Sequence, residues 1–145
     1  MSSVKDLKSY FIQAMVRKGN LYKADKLFKV ILKNLYVLFR VKGVRIMESA
    51  IQNSTIFFTL RRYYLGGTAY FVPVVITNNT EEKFAIKCLL KHAKKRGQSI
   101  LITLMTELFL AKNLKGETIK FKNDFHLKVI KGIPYIRFLN KRIKK

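Results

Sequence analysis

Gly66-Gly67 separates two runs of β-branched and aromatic residues, 55–65 and 68–76, in a chain whose apolar residues otherwise recur at spacings of three and four. Two glycines can both take the positive φ that a tight hairpin turn demands, so the pair ties the two runs into one antiparallel ribbon. Pro73 fits this reading. Both strands of a two-stranded ribbon are edges, and a missing N–H costs little where no partner faces it. The ribbon carries Arg61, Arg62, Tyr63, Tyr64 and Tyr70 toward its glycine tip. Because a strand alternates faces, about half of its aromatics are expected to pack on the body of the protein.

That body reads as helices. The first is expected over about Ser3 to Lys18, with Leu7, Phe11, Ala14 and Met15 on one face and Gly19 as its stop. Asn20 caps a second helix to about Tyr36, whose stripe is Ala24, Leu27, Phe28, Ile31 and Leu35 and whose other face carries Lys23, Lys26, Lys29 and Lys33. A third spans about Val44 to Asn53. After the ribbon, Asn79 and Glu82 form a capping-box-like start to a fourth, which ends at Lys91, Lys94, Lys95 and Arg96 before Gly97. Ser99 is placed to cap a fifth, ending before Gly116. A weaker sixth is expected only around Asp124 to Lys131, broken by Gly132 and Pro134, and 141–145 is a short basic tail. The expectation is a mainly α, single-domain bundle of about six helices spanning 1–145, with one protruding two-stranded β-hairpin at about 55–76.

Charge narrows the partners. Thirty Lys+Arg face eight Asp+Glu, for a formal net charge of +22, and the cations run from Lys5 to Lys145 instead of forming one tail. Such a field favours a polyanion over much of the surface. Cys88 is the single cysteine, which rules out an internal disulfide and a cysteine-rich metal site. His92 and His126 lack ligand spacing, no carboxylate pair is arranged for acid–base work, and Gly66-Gly67-Thr68 is no phosphate loop. No cofactor, metal or enzymatic activity is therefore expected. The longest apolar run, Ile100 to Ala111, is too short to span a bilayer, and the first ten residues do not read as a signal peptide.

Three basic features remain for a polyanion: the ribbon, the 91–96 helix end, and Lys120 with Lys122, near Lys115 and Lys128. Arginine pairs bidentately with phosphate and, like tyrosine, stacks on bases; lysine clusters supply affinity without sequence information. RNA is the favoured partner. The alternative is a free-standing DNA-binding nucleoid or regulatory protein that lays the ribbon in a groove. Lys, Ile, Phe, Asn and Tyr, with A/T-rich codons, far outnumber Gly, Ala, Arg and Pro. An A/T-rich organelle genome accounts for this bias and for the lack of an evident import presequence; a low-G/C bacterium is the other source.

The order of these pieces resembles small-subunit ribosomal protein seven. Tyr10 to Leu35 is similar to the family's first helix, Gly turn and second helix. Arg61-Arg62, then Gly66-Gly67-Thr68-Ala69-Tyr70 and Val72-Pro73-Val74, resembles its hairpin. Phe84 to Lys87 through Ala93-Lys94-Lys95-Arg96-Gly97 resembles the helix that follows. Met105-Thr106-Glu107-Leu108, Lys120 and Asp124-Phe125-His126 fall where the family has an Asn-Glu-Leu helix, a basic stretch and an Asp-Val-His. Departures lie at Lys131-Gly132 and Phe138-Leu139-Asn140. The resemblance implies a structural protein that binds the head of small-subunit rRNA, helps head assembly, and touches neighbouring head and platform proteins. It implies rRNA backbone contacts at Lys94, Lys95, Arg96, Lys120 and Lys122, joined by Lys23 and Lys26. It places Arg61, Arg62, Tyr64, Gly66, Gly67 and Tyr70 near exit-site tRNA, mRNA and rRNA. A mitochondrial ribosome is the expected location, with a plastid-type organelle as the alternative.

Overall fold

The computed structural model describes residues 4–76, 80–95, 97 and 99–137. Along these run α1 (Val4–Met15), α2 (Leu21–Phe39), α3 (Gly43–Ser54), β1 (Phe58–Leu65), β2 (Thr68–Val75), α4 (Thr80–Lys95), α5 (Ile100–Lys112), α6 (Glu117–Gly132) and a 3-10 turn at Ile133–Ile136. This is the mainly helical bundle with one antiparallel hairpin that the periodicity predicts. Each expected stripe turns inward. Phe11 and Met15, Ala24, Phe28, Ile31 and Leu35, Ile46, Met47, Ala50 and Ile51, Ala85, Ile86, Leu89 and Leu90, and Leu104 and Leu108 meet in one core. Cys88 is buried too, and burial pushes its thiol pKa up, with the nearby Lys91 pulling weakly the other way.

Several ends differ from expectation. α1 stops at Met15 and not at Lys18, because Lys18 and Gly19 both take left-handed φ and carry the chain away. Asn20 does cap α2: its side chain accepts the Lys23 N–H at 3.0 Å. Ser99 stands at the N-cap of α5 but its hydroxyl makes no capping bond. The Asn79 cap and the 141–145 tail lie outside the described residues.

The largest departure is α6, which begins at Glu117 and not near Asp124. The residue at its N-cap is Gly116, which has no side chain to offer. The cap comes from α5 instead. Glu107, fully buried, accepts the Thr118 N–H at 2.9 Å and the Thr118 hydroxyl at 2.8 Å. The same hydroxyl lies 3.4 Å from His92 Nδ1 on α4. A buried carboxylate is costly unless paired or bonded; here Thr118 at the helix N-terminus supplies an N–H and a hydroxyl donor, beside the positive dipole end.

The ribbon is anchored at its base. Strand register runs from Phe58↔Val75 to Leu65↔Thr68, and Gly66 and Gly67, with φ of 55° and 82°, close it in the manner of a type I′ turn. At the other end Gly132 sits against β2. A methyl group there would approach the Phe71 carbonyl oxygen to 2.8 Å and Pro73 Cδ to 3.0 Å, so only glycine lets α6 lie this close to the ribbon.

Glu107→Ala is expected to lower stability by about 3 kcal/mol, because it leaves buried donors unmet at the start of α6. Glu107→Gln, which keeps an acceptor, should lose less than half of that. Urea unfolding of both variants checks this, and equal losses would deny the carboxylate its capping role.

Candidate nucleic-acid interface

Tertiary packing gathers some of the expected basic residues and separates others. Lys94 and Lys95 are exposed at the end of α4; Arg96 lies outside the described residues. Lys95 and Lys120, distant in sequence, line one shallow depression together with His92, Phe121, Glu117 and Asp124. Lys120 reaches Glu117 at 3.6 Å, an exposed pair that holds its ammonium only weakly. The α1–α2 turn comes to the same end of the bundle, where Arg17 and Lys23 stand beside Ile100 at the start of α5. Lys26 is exposed one turn further along α2, and its neighbour Lys29 is paired with Asp25 at 2.6 Å, which raises the Lys29 pKa.

Lys122 is placed differently from Lys120. Two residues turn a helix by about 200°, so the two lysines face apart. Lys122 Nζ donates to the Asn53 carbonyl at the end of α3 at 2.6 Å, and burial lowers its pKa. Asn53 in turn donates from its side chain to the carbonyls of Ala111 and Lys112 at the end of α5, at 3.1 and 2.9 Å. A cation and an amide thus satisfy two helix C-termini, where both are electrostatically favoured.

On the ribbon, Arg61, Arg62, Tyr64, Gly66 and Gly67 are exposed. Of the six aromatics over 55–76, Phe57, Phe58, Tyr64 and Phe71 are exposed and only Tyr63 and Tyr70 are half-buried, so fewer than the expected half turn toward the body. Tyr70 packs on Tyr135 with ring centroids 5.0 Å apart, and the Arg62 guanidinium lies over the Phe71 ring at 5.5 Å. Phe121 lines both the Lys95/Lys120 depression and a second cleft against β2, so α6 joins the basic helix ends to the ribbon in one continuous surface. Phe121 and Tyr135 were not singled out by the sequence, and Phe125 and Lys131 entered only through the family resemblance. Their spacing is a helical stripe only if the helix begins before Phe121, and the signal for that start lies in Glu107.

A profile of the family described as ribosomal protein S7p/S5e matches residues 2–129. This chain belongs to that family. It is 31% identical over 124 residues to a small ribosomal subunit protein uS7c of Bigelowiella natans, covering 83% of this chain and 78% of that protein. It is 29% identical over 121 residues to uS7c of Euglena gracilis, and 31% identical over 124 residues to uS7 of Oleidesulfovibrio alaskensis, with the same shares covered in both cases. The match takes in the hairpin, the α4 basic end and α6 as far as Val129, the elements that form the surface just described.

Lys120→Met and Lys122→Met should therefore separate. Lys122→Met is expected to cost about 1.5 kcal/mol through loss of a charged hydrogen bond, with RNA salt dependence unchanged. Lys120→Met should leave stability alone and flatten the salt slope by about 0.7, one contact's worth. Denaturation paired with salt titration decides between them.

Proposed function

We propose that this protein is a structural constituent of the small ribosomal subunit that binds the head domain of its rRNA. Family membership supports the structural, non-enzymatic role. The surface from the α4 end along α6 to the ribbon, which carries Lys94, Lys95, Lys120, Lys128 and Lys131 with Glu117 and Asp124 among them, is the observation that carries RNA binding. Lys94, Lys95, Arg96 and Lys120 hold rRNA phosphates, with Lys23 at the same end of the bundle and Lys26 beside it. The ribbon, with Arg61, Arg62, Tyr64 and its Gly66-Gly67 tip, reaches toward exit-site tRNA and the mRNA path. Tyr70 supports it from the body side. Head and platform proteins of the subunit are the protein neighbours.

A formal charge of +22 fits a chain surrounded by RNA better than one that meets a duplex through a single ribbon. The free-standing DNA-binding alternative has no observation of its own once the family is known. The amino-acid bias toward A/T-rich codons fits a mitochondrial ribosome, a plastid-type organelle and a low-G/C bacterium alike; the uS7c relatives support the plastid-type reading beside the mitochondrial one. Sedimentation of the source cell's extract on a sucrose gradient tests the proposal. Co-migration with the small subunit that survives moderately high salt and is lost on RNase treatment is expected. Recovery only in light or DNA-bound fractions would overturn it.

Replacing Lys94, Lys95 and Arg96 together with Ala is expected to flatten the salt dependence of rRNA binding by about two units of slope, the share of roughly three phosphate contacts. Deleting 65–68 should leave rRNA affinity mostly intact while disturbing the tRNA and mRNA exit region, as read by exit-site tRNA occupancy on assembled subunits.

A further inference from the structure

α5 is apolar on every side: over 100–111 only Thr103, Thr106 and Glu107 are polar. A helix of that kind is normally buried all round. Leu104, Leu108 and Ala111 do enter the core, but Ile102 stays 54% exposed. Beside it, the last turns of α2 leave Val37 58% and Leu38 63% exposed. Between the two helices runs a groove of about 660 Å³, lined by Val37, Leu38 and Phe39 and by Ile102, Met105 and Phe109. Among the described residues no charged side chain lines it. Its polar members are Asn34 and Thr106, and the Thr106 hydroxyl already donates to the Thr103 carbonyl at 2.9 Å. The groove shares no lining residue with the Lys95/Lys120 depression or with the cleft against β2.

RNA does not suit this floor. It offers phosphates no cation, and its two rings, Phe39 and Phe109, stack on each other with centroids 3.9 Å apart. A lipid surface is met by a protruding apolar face, and this one is concave. A second copy of the chain is opposed by the net charge of +22, and the chain's own end would bring Lys141, Arg142, Lys144 and Lys145. Like charge matters here because the margin is cationic: the exposed Lys33 and Arg40 stand four residues before and three after Val37, one turn to either side. The carboxylates of these two helices are engaged elsewhere, Asp25 with Lys29 and Glu107 with Thr118. Ile102 to Leu110 rise about 12 Å, room for about two turns of another helix.

We propose that the α2–α5 groove docks an amphipathic helix of another protein, apolar residues at i, i+4 and i+7 filling the groove and Asp or Glu at its margin beside Lys33 and Arg40. The proposal rests on the reading of the protein as a constituent of a larger ribonucleoprotein, and adds to it a protein-facing side separate from the RNA-facing one.

The test expresses the full chain with Ile102→p-benzoylphenylalanine in the source cell, irradiates it and sequences the crosslinked product. A crosslink to a protein segment with that apolar spacing and acidic margin is expected. The segment, made as a synthetic peptide, should bind the isolated full chain, and Leu38→Glu or Ile102→Glu should weaken that binding about tenfold or more. Both residues are more than half exposed, so circular dichroism and rRNA affinity should stay unchanged and separate lost docking from lost fold. Replacing the peptide's acids with Lys should weaken it as well. Crosslinks to rRNA, to lipid, to a second copy or to residues 138–145, or no crosslink at all, would overturn the proposal. So would a peptide whose affinity ignores the substitutions in the groove. A crosslinked product that sediments away from the small subunit would overturn the ribosomal reading and leave the docking site standing.

Discussion

The buried Glu107 carboxylate is the joint on which the functional surface turns. It leaves α5, accepts the backbone and hydroxyl hydrogens of Thr118, and so sets where α6 begins. A helix started there brings Lys120 beside Lys95 and runs Phe121 and Phe125 along the ribbon. Without that cap the Thr118 N–H would lose its acceptor in a buried place, at about 1–3 kcal/mol. The basic depression and the aromatic cleft would then lose their common wall.

A second set of bonds works at the opposite helix ends. Asn53 closes the C-terminus of α5 and Lys122 closes the C-terminus of α3. Lysine is abundant in this chain, and the fold divides its lysines by position. Lys122 turns inward as a helix cap; Lys29 is neutralised by Asp25; Lys94, Lys95, Lys120, Lys128 and Lys131 remain on the surface. Surface cations on a chain of net charge +22 repel one another, and a polyanion laid across them relieves that repulsion. Composition therefore narrows the class of partner, while packing decides which cations are left on the surface.

Much of the fold was legible because its signals are local. The stripes of α1 to α5 follow the helical period, Asn20 caps through its own side chain, and Gly66-Gly67 can turn a hairpin without help from elsewhere. The ends of α1 and α2 were displaced by about a turn or less, where left-handed residues such as Lys18 and Arg40 end a helix despite favourable neighbours. The early start of α6 was not legible. Gly116 signals a stop, and nothing within a turn of it in the sequence supplies the cap; the group that does so lies on another helix. With the helix start hidden, the stripe from Phe121 to Tyr135 was hidden as well; Gly132 does end α6, as its place in the sequence indicates, but its close contact with Phe71 and Pro73 was not legible.

By itself the sequence determined the helical body, the hairpin and its place in the chain, the absence of a cysteine framework, and a net charge suited to a polyanion. These depend on period, turn chemistry and net charge, which are properties of neighbouring residues or of the whole sum. Only the tertiary structure decided which lysines face solvent, that Lys95 and Lys120 share a site, and that α6 and the ribbon enclose an aromatic cleft. Those outcomes depend on contacts between residues far apart in the chain, and no local pattern encodes the distance between two surfaces that meet only when the core has closed.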